Sequence, residues 1–169
     1  GYKYACRQGY QVVGQIDGDG QHRPSDLPDL LAALSSQETD VVVGSRFLSN
    51  DGHYVAPKAR SAGIALFARL ASRFTRQRVT DPTSGMQVMR IAVAEFFCSE
   101  VYPSDYPDAD ILILLHRSGF RVREVPVKMR PCPGTSMHDG HRSLYYVYKM
   151  TLSIFVTILR PRSRTEPKP

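Results

Sequence analysis

The chain has 169 residues, of which 42% are apolar and 22% charged, which suits one globular domain with a sizeable core. The formal charge is +6, but residues 160–169 hold four bases and one acid, so half of the net charge lies in a Pro-rich tail that we expect to be disordered. The rest shows no basic stripe with aromatic platforms, and its three scattered cysteines form no Cys-x-x-Cys pair, which argues against a nucleic-acid binder, a disulfide framework and a Cys-type zinc site.

The beginning of the chain predicts a strand, a helix and a second strand. Residues 11–16 are a short apolar run that ends in an acidic turn, as expected of a buried strand. Ser25 or Asp26 is a good N-cap for a Leu-rich helix, and residues 40–45 are a second buried strand. Strand, helix and strand in so few residues predict a right-handed βαβ unit in a parallel sheet. Because the first residues resemble the middle of a helix, we expect that an N-terminal part precedes Gly1.

The remaining elements alternate in type. We predict a helix over residues 57–76, a turn at 81–85, a short strand at 86–89 and a short helix at 91–98. A helix over 109–117 with Gly119 as its cap leads to a half-exposed strand at 120–129 and a polar loop at 130–141. An apolar helix over 143–159 comes last.

The Asp17-Gly18-Asp19 turn is the motif that carries chemistry. Two carboxylates one residue apart, directly after a buried strand, form a hard-oxygen site of the kind that Mg²⁺ and Mn²⁺ prefer. Gly18 and Gly20 allow a tight turn and a close approach to a ligand. The alternative is a plain surface turn, in which Asp and Gly are common. The position between two buried strands favours the site, since ligands of open α/β sheets bind at the carboxyl ends of strands.

Several segments together resemble a glycosyltransferase of family 2, which has the GT-A fold. They are QVVGQIDGDGQH, DVVVGSRF, DPTSGMQVMR and GFRVREVPVKM, and the dolichol- or polyprenyl-phosphate sugar transferases are the branch that they resemble most. The resemblance covers residues 1–150 and implies a Rossmann-like, mostly parallel sheet flanked by helices, with the first strands of the family missing. Gln87 stands where that branch usually has arginine, and this departure argues against a polyprenyl phosphate as the acceptor.

The resemblance implies a donor and metal site. Asp19 would be the main metal ligand, Asp17 would contact both the nucleotide-sugar and the metal, and Gln21 would support them. Arg46 would face the donor or its phosphate, with an exposed arginine at a strand end as the alternative. The implied cofactor is Mg²⁺ or Mn²⁺.

A second implied group serves the acceptor. Arg60 and Ser61 occupy the place of a polar pair near the acceptor phosphate, although a basic helix face is usually just solvated. Asp110, or else Asp108, would take the proton of a hydroxyl acceptor, whereas a lipid phosphate needs no base. The alternative is that both acids only stabilise a helix N-terminus.

The loop after the last strand has the composition of a lid over the diphosphate. It contains Arg130 and Ser136 as donor-binding candidates and His138 as a candidate that completes the metal shell. The alternative is a solvated loop whose histidines bind no ligand.

The final helix is short for a membrane span, since Lys149 interrupts it. Tyrosines at one end and arginines at the other suit an interface with anionic lipid, and a buried core helix is the alternative. We therefore expect one partial catalytic domain at 1–159, a tail at 160–169, and a cytoplasmic location that includes the inner face of the membrane.

The sequence thus predicts an inverting, metal-dependent transferase that moves a sugar from a nucleoside diphosphate to a polyprenyl phosphate or a cell-envelope glycan. Two alternative functions remain open. One is a sugar-nucleotide pyrophosphorylase, which would need a Gly-rich nucleotide loop. The other is a non-catalytic, membrane-associated protein that keeps the fold.

Overall fold

A computed structural model describes residues 1–36, 38–48, 58–98, 108–130 and 141–160, with the side chains of 58–60 and 141–144 left out. The helices and strands in chain order are α1 (Tyr2–Arg7), β1 (Val12–Gln15), α2 (Leu27–Leu34), β2 (Val41–Ser45), α3 (Lys58–Thr75), β3 (Gln87–Arg90), α4 (Ile91–Phe97), α5 (Ala109–Arg117), β4 (Val122–Pro126) and α6 (His141–Leu159). A short 3₁₀ turn, Pro24–Asp26, precedes α2.

The described strands form one mixed sheet in the order β1-β3-β2-β4. β2 and β4 pair in parallel, whereas β3 runs antiparallel to both β1 and β2. Three of the four strands therefore point the same way, as the predicted βαβ unit requires, but β3 lies between β1 and β2. The carboxyl ends of β1, β2 and β4 and the amino end of β3 meet at one edge of the sheet.

Helices cover both faces of the sheet. α2 packs on one face through Leu30 and Leu34, which contact Val42 and Val88. The opposite face carries α4 and α5, whose apolar side chains pack on Val41, Val43 and Met89. α3 and α6 then pack against α5 around Phe67, Ile113 and Met150. This arrangement confirms the predicted α/β class and brings the amino end of α5 to the edge of the sheet described above.

Close packing between β2 and the segment after β4 requires a glycine. A Cβ on Gly44 would lie 2.7 Å from Cγ1 of Val127 and 3.4 Å from the carbonyl oxygen of Met86. Val127 is buried and its backbone N–H bonds to the Ser45 carbonyl oxygen, so it has little room to move. Gly44 therefore sets how closely the two parallel strands' ends approach.

Two local expectations were wrong. β1 is not buried: it is an edge strand of the described sheet, and Val12 is 42% exposed. Asp26 stands at the N-cap position of α2, but neither it nor Ser25 caps the helix. The Asp26 carboxylate instead accepts a hydrogen bond from the backbone N–H of Lys128, 2.9 Å away, because a tertiary partner competes with the helix end.

None of the helices in the part of the chain that the structure describes is long and apolar enough to span a membrane. α6 has one face against α5 and a second face that is apolar and exposed. We call this second face the α6 apolar face; its members are Tyr145, Tyr148, Leu152, Phe155, Val156 and Leu159. Residues 131–140 of the loop predicted at 130–141, and residues 161–169 of the predicted tail, lie outside the described residues. His141, which the loop prediction included, is the first residue of α6.

Candidate functional site

Residues from four segments gather at the carboxyl edge of the sheet. Asp17 follows β1, Arg46 follows β2, Gly85 precedes β3 and Asp108 precedes α5. The charges of Asp17 and Arg46 both act on Asp108, and that of Arg46 acts on Asp17. The structure therefore brings two donor candidates, Asp17 and Arg46, close to the base candidate Asp108, as the strand directions predict.

Asp17 lies beside a buried histidine. Its side chain is 49% exposed, and its Oδ2 is 3.7 Å from Nε2 of His22, whose side chain is 1% exposed. That distance exceeds an ordinary hydrogen bond, but the imidazole still holds the pKa of Asp17 below its usual 3.8, and the charge of Arg46 acts the same way. Asp17 is therefore an ionised carboxylate that faces solvent on one side.

Asp19 shapes the acidic turn. Its Oδ1 accepts a hydrogen bond from the backbone N–H of Gln21 at 2.9 Å, and Gly20 adopts a positive φ of 73°, which few other residues tolerate. The backbone carbonyl oxygen of Gln21 accepts a hydrogen bond from the backbone N–H of Arg130 at 2.9 Å. The side-chain Nε2 of Gln21 lies 3.4 Å from the Arg130 carbonyl oxygen. The acidic turn is thus tied to the chain that leaves β4, and the Arg130 side chain is exposed there.

Arg46 is not an exposed arginine at a strand end. It is 6% exposed, and its guanidinium forms a bidentate ion pair with fully buried Asp81, with 2.6 Å from Nε to Oδ2 and from Nη2 to Oδ1. Nη2 also donates to Thr83 at 2.7 Å, and the Arg46 backbone N–H donates to Asp81 at 3.0 Å. The edge of the Arg46 guanidinium that faces Asp81 is therefore occupied by hydrogen bonds within the protein.

Glu124 of β4 organises the turn that contains Asp81. Its carboxylate accepts from the backbone N–H groups of Thr80 and Asp81 and from the Thr80 hydroxyl, at 2.7–3.0 Å. The Ser45 hydroxyl lies 2.6 Å from that of Thr80. These bonds explain why the DPTSG turn and the Glu of the EVP strand occur together. The motifs themselves were the signal, but sequence reasoning assigned no role to Glu124 or Asp81.

The two acids at the start of α5 differ in environment. Asp110 is fully buried; its Oδ1 accepts from the backbone N–H groups of Asp108 and Ile111, and its Oδ2 accepts from the Ser153 hydroxyl. Burial raises its pKa. Asp108 accepts from the Tyr146 hydroxyl, and burial raises its pKa from 3.8 to about 6. Asp108 is partly exposed and is the acid that the charges of Asp17 and Arg46 reach.

The remaining candidates are placed only in part. Ser61 lies partly buried on α3. The side chain of Arg60 lies outside the described residues, and so do Ser136 and His138.

The residues present fit an oxygen-preferring divalent ion. Asp17 and Asp19 offer carboxylate oxygens at an exposed turn, which matches the ligands of Mg²⁺ and Mn²⁺. Within the described ranges, no three His, Cys, Asp or Glu side chains cluster closely enough to hold a metal by themselves. Mg²⁺ sites that use one or two carboxylates complete their shell with water and substrate phosphates, so this donor set suits an ion carried with a diphosphate.

A profile of the family described as "Glycosyl transferase family 2" matches residues 5–97, which contain the acidic turn, the Arg46–Asp81 pair and Gly85. The chain belongs to glycosyl transferase family 2. This confirms the resemblance found in the sequence motifs. It also argues against a sugar-nucleotide pyrophosphorylase.

Curated relatives point to the same branch of family 2. The chain is 31% identical over 130 residues to a polyprenol monophosphomannose synthase of Mycolicibacterium smegmatis, covering 75% of this chain and 48% of that protein. It is 29% identical over 132 residues to an undecaprenyl-phosphate mannosyltransferase of Micrococcus luteus, covering 75% and 52%. The chain spans about half the length of the curated relatives that it matches.

The fold is shared with solved structures of more distant sequence. Glucosyl-3-phosphoglycerate synthase of Mycobacterium tuberculosis, crystallised with Mn²⁺ and UDP-glucose, superposes with a TM-score of 0.56 at 14% identity, over 98% of this chain and 54% of that one. The expected GT-A fold is thereby confirmed.

Proposed function

We propose that this chain is part of an inverting, metal-dependent glycosyltransferase that moves a sugar from a nucleoside-diphosphate sugar to a polyprenyl phosphate or a cell-envelope glycan. One observation carries the proposal. In a chain of family 2, the ionised Asp17 carboxylate lies half-exposed at the carboxyl edge of the sheet, within electrostatic reach of Arg46 and Asp108.

Asp17 and Asp19 would hold a Mg²⁺ or Mn²⁺ ion, with Gln21 as a supporting ligand and His138 completing the shell. When bound, the ion supplies positive charge that stabilises the departing diphosphate. Mn²⁺ and UDP-glucose in the similar solved structure support this choice of cofactor and donor. Asp17 would also contact the nucleotide-sugar itself.

Arg46 contributes its charge to the donor site from within the protein. Because its guanidinium is paired with Asp81, it acts on the site electrostatically and favours the ionised forms of Asp17 and Asp108. Arg130 and Ser136 would bind the donor phosphates, since the backbone of Arg130 is tied to the acidic turn at Gln21.

Asp108 is the better candidate for the acceptor base. A carboxylate with a pKa of about 6 is ionised at neutral pH and still basic enough to take a proton from a hydroxyl. Asp110, which the sequence favoured, is fully buried and its Oδ1 is engaged by two backbone N–H groups. With a phosphate acceptor no base is required, and Asp108 would then help to shape the acceptor side together with Arg60 and Ser61.

The names of the relatives and the α6 apolar face support a lipid-linked acceptor at a membrane surface. Two relatives are named for polyprenol and undecaprenyl phosphate. The α6 apolar face is followed in the sequence by Arg160, Arg162 and Arg164, which complement an anionic headgroup layer. The protein would then act from the cytoplasm, at the inner face of the membrane.

A calorimetric titration of the full-length protein with UDP and with GDP, each with and without Mn²⁺, tests the donor site. We expect one nucleotide to bind only with Mn²⁺, and Asp19→Ala to abolish that binding. Asp29→Ala is the matched control, because Asp29 is also exposed but lies on α2, and it should bind as the parent does. Failure of the parent protein to bind either nucleotide would support the non-catalytic alternative.

A further inference from the structure

The imidazole of His22 is buried next to Asp17. The residue is 4% exposed, and neither Nδ1 nor Nε2 has a hydrogen-bond partner among the described residues. A buried polar group left unsatisfied lowers the stability of the fold, so native structures rarely keep one without a reason. Packing alone gives no reason, since an apolar side chain would fill the same space without that cost.

The backbone fixes the place of this imidazole. His22 forms an isolated antiparallel bridge with Met129, and the neighbouring Gln21 carbonyl bonds to the backbone N–H of Arg130. Nε2 consequently stays next to Asp17, 3.7 Å from Oδ2. A shift of about 0.7 Å would bring the two atoms to an ordinary hydrogen-bond distance.

Gly85 supports the same carboxylate from another side. A Cβ built on Gly85 would lie 2.0 Å from Oδ2 of Asp17 and 2.2 Å from its Oδ1 and Cγ. The carboxylate therefore rests directly on the backbone of Gly85, and any side chain there would displace it. The φ angle of Gly85 is not positive, so its lack of a side chain serves this contact and not the turn.

We propose that His22 and Gly85 are positioning residues that together seat the Asp17 carboxylate for metal and donor binding. Gly85 leaves the space in which the carboxylate lies, and His22 donates Nε2–H to Oδ2 when the donor site fills. One oxygen is then held by the protein and the other is directed to the ligand. Outer partners of metal-binding carboxylates commonly act in this way. The inference rests on the proposed function, in which Asp17 contacts the metal and the nucleotide-sugar.

A positioning role and a structural role predict different results. His22→Leu removes the unsatisfied nitrogens at similar volume, so the urea midpoint should stay or rise while ligand binding weakens. His22→Gln restores an N–H donor and should recover part of the binding. Gly85→Ala moves only the free end of Asp17, so the fold should be kept. Gly63→Ala is the matched control, because its Cβ would meet no atom within 4 Å.

The test measures Mn²⁺-dependent UDP and GDP binding by calorimetry, together with urea unfolding, in the full-length protein. We expect His22→Leu and Gly85→Ala to weaken the metal-dependent binding about 10- to 100-fold, the usual effect of losing an outer partner, with unfolding midpoints no lower than that of the parent, whereas Gly63→Ala should bind as the parent does. Unchanged binding in both variants, in a parent that does bind with Mn²⁺, would overturn the inference alone. Weak binding matched by an equal loss of stability would also overturn it. A parent that binds neither nucleotide would overturn the proposed function itself.

Discussion

Arg46 and Asp81 form a buried, bidentate ion pair across 35 residues of sequence, with both nitrogen–oxygen distances at 2.6 Å. The pair joins the end of β2 to the turn before β3, and that turn contains Gly85. The same guanidinium favours the ionised forms of Asp17 and Asp108. One side chain thus links the structure of the turn to the charge of the site.

Breaking this pair should destabilise the fold strongly. Asp81→Ala leaves the Arg46 charge buried without its carboxylate, and the free energy of unfolding should fall by about 3–5 kcal/mol. Urea unfolding at neutral pH measures the change. Arg121→Met is the control, because it removes an ion pair with Asp40 in which the arginine side chain is 52% exposed, and its effect should be much smaller. Equal effects of the two substitutions would contradict the buried pair.

Asp108 should make the stability depend on pH in a definite direction. Its pKa is raised in the folded protein, so it contributes stability below pH 3.8 that is lost as the pH rises through about 6. The interval between 3.8 and about 6 corresponds to about 3 kcal/mol at most. Asp108→Asn should remove this contribution and leave that of Asp110, whose pKa burial also raises, so urea unfolding across the interval should show a smaller loss of stability in the variant.

A second variant checks the cause of that dependence. The Tyr146 hydroxyl donates to Asp108 and lowers its pKa in the folded protein, so Tyr146→Phe should raise the upper end of the pH interval and leave its lower end at 3.8. Stability curves that stay parallel for the parent protein and Asp108→Asn would show that Asp108 does not titrate in this range.

Substitutions on the α6 apolar face should weaken binding to vesicles that contain anionic lipid. Phe155→Glu replaces an exposed aromatic group with a charge, and loss of its burial in lipid should reduce the partition coefficient about tenfold or more in a flotation assay. Leu31→Glu is the matched control, since Leu31 is an exposed apolar residue on α2, across the sheet from α6. A change in oligomeric state with unchanged vesicle binding would assign this face to a second copy of the chain.

The sequence predicted those features that depend on local pattern. The buried strand β2, the helices α3 and α5, and the acidic turn after β1 all follow from periodicity, Gly signals and strand order. What it missed depends on partners distant in sequence. The position of β3 between β1 and β2 is one case, and the hydrogen bond that draws Asp26 away from its helix is another.

The same limit applies to the site. The sequence offered no means to distinguish Asp108 from Asp110, which lie two residues apart. The packing of α6 on α5 shows that Asp110 is fully buried, whereas Asp108 lies near the site. Likewise, the sequence does not predict that Cys6 lies near Cys98. Their sulfurs are 3.9 Å apart because α1 packs on α4. The roles of His22 and Gly85 are visible only once their distances to Asp17 are known.

The tie between Gln21 and Arg130 spans 109 residues, which has a consequence for protein synthesis. At about 5–20 residues per second, the ribosome makes Arg130 roughly 5–20 s after Gln21. During that time the residues of the acidic turn have been made, but the segment after β4 that holds the turn has not. A nascent chain that stalls before β4 therefore exposes the aspartates of a site that it has no means to complete.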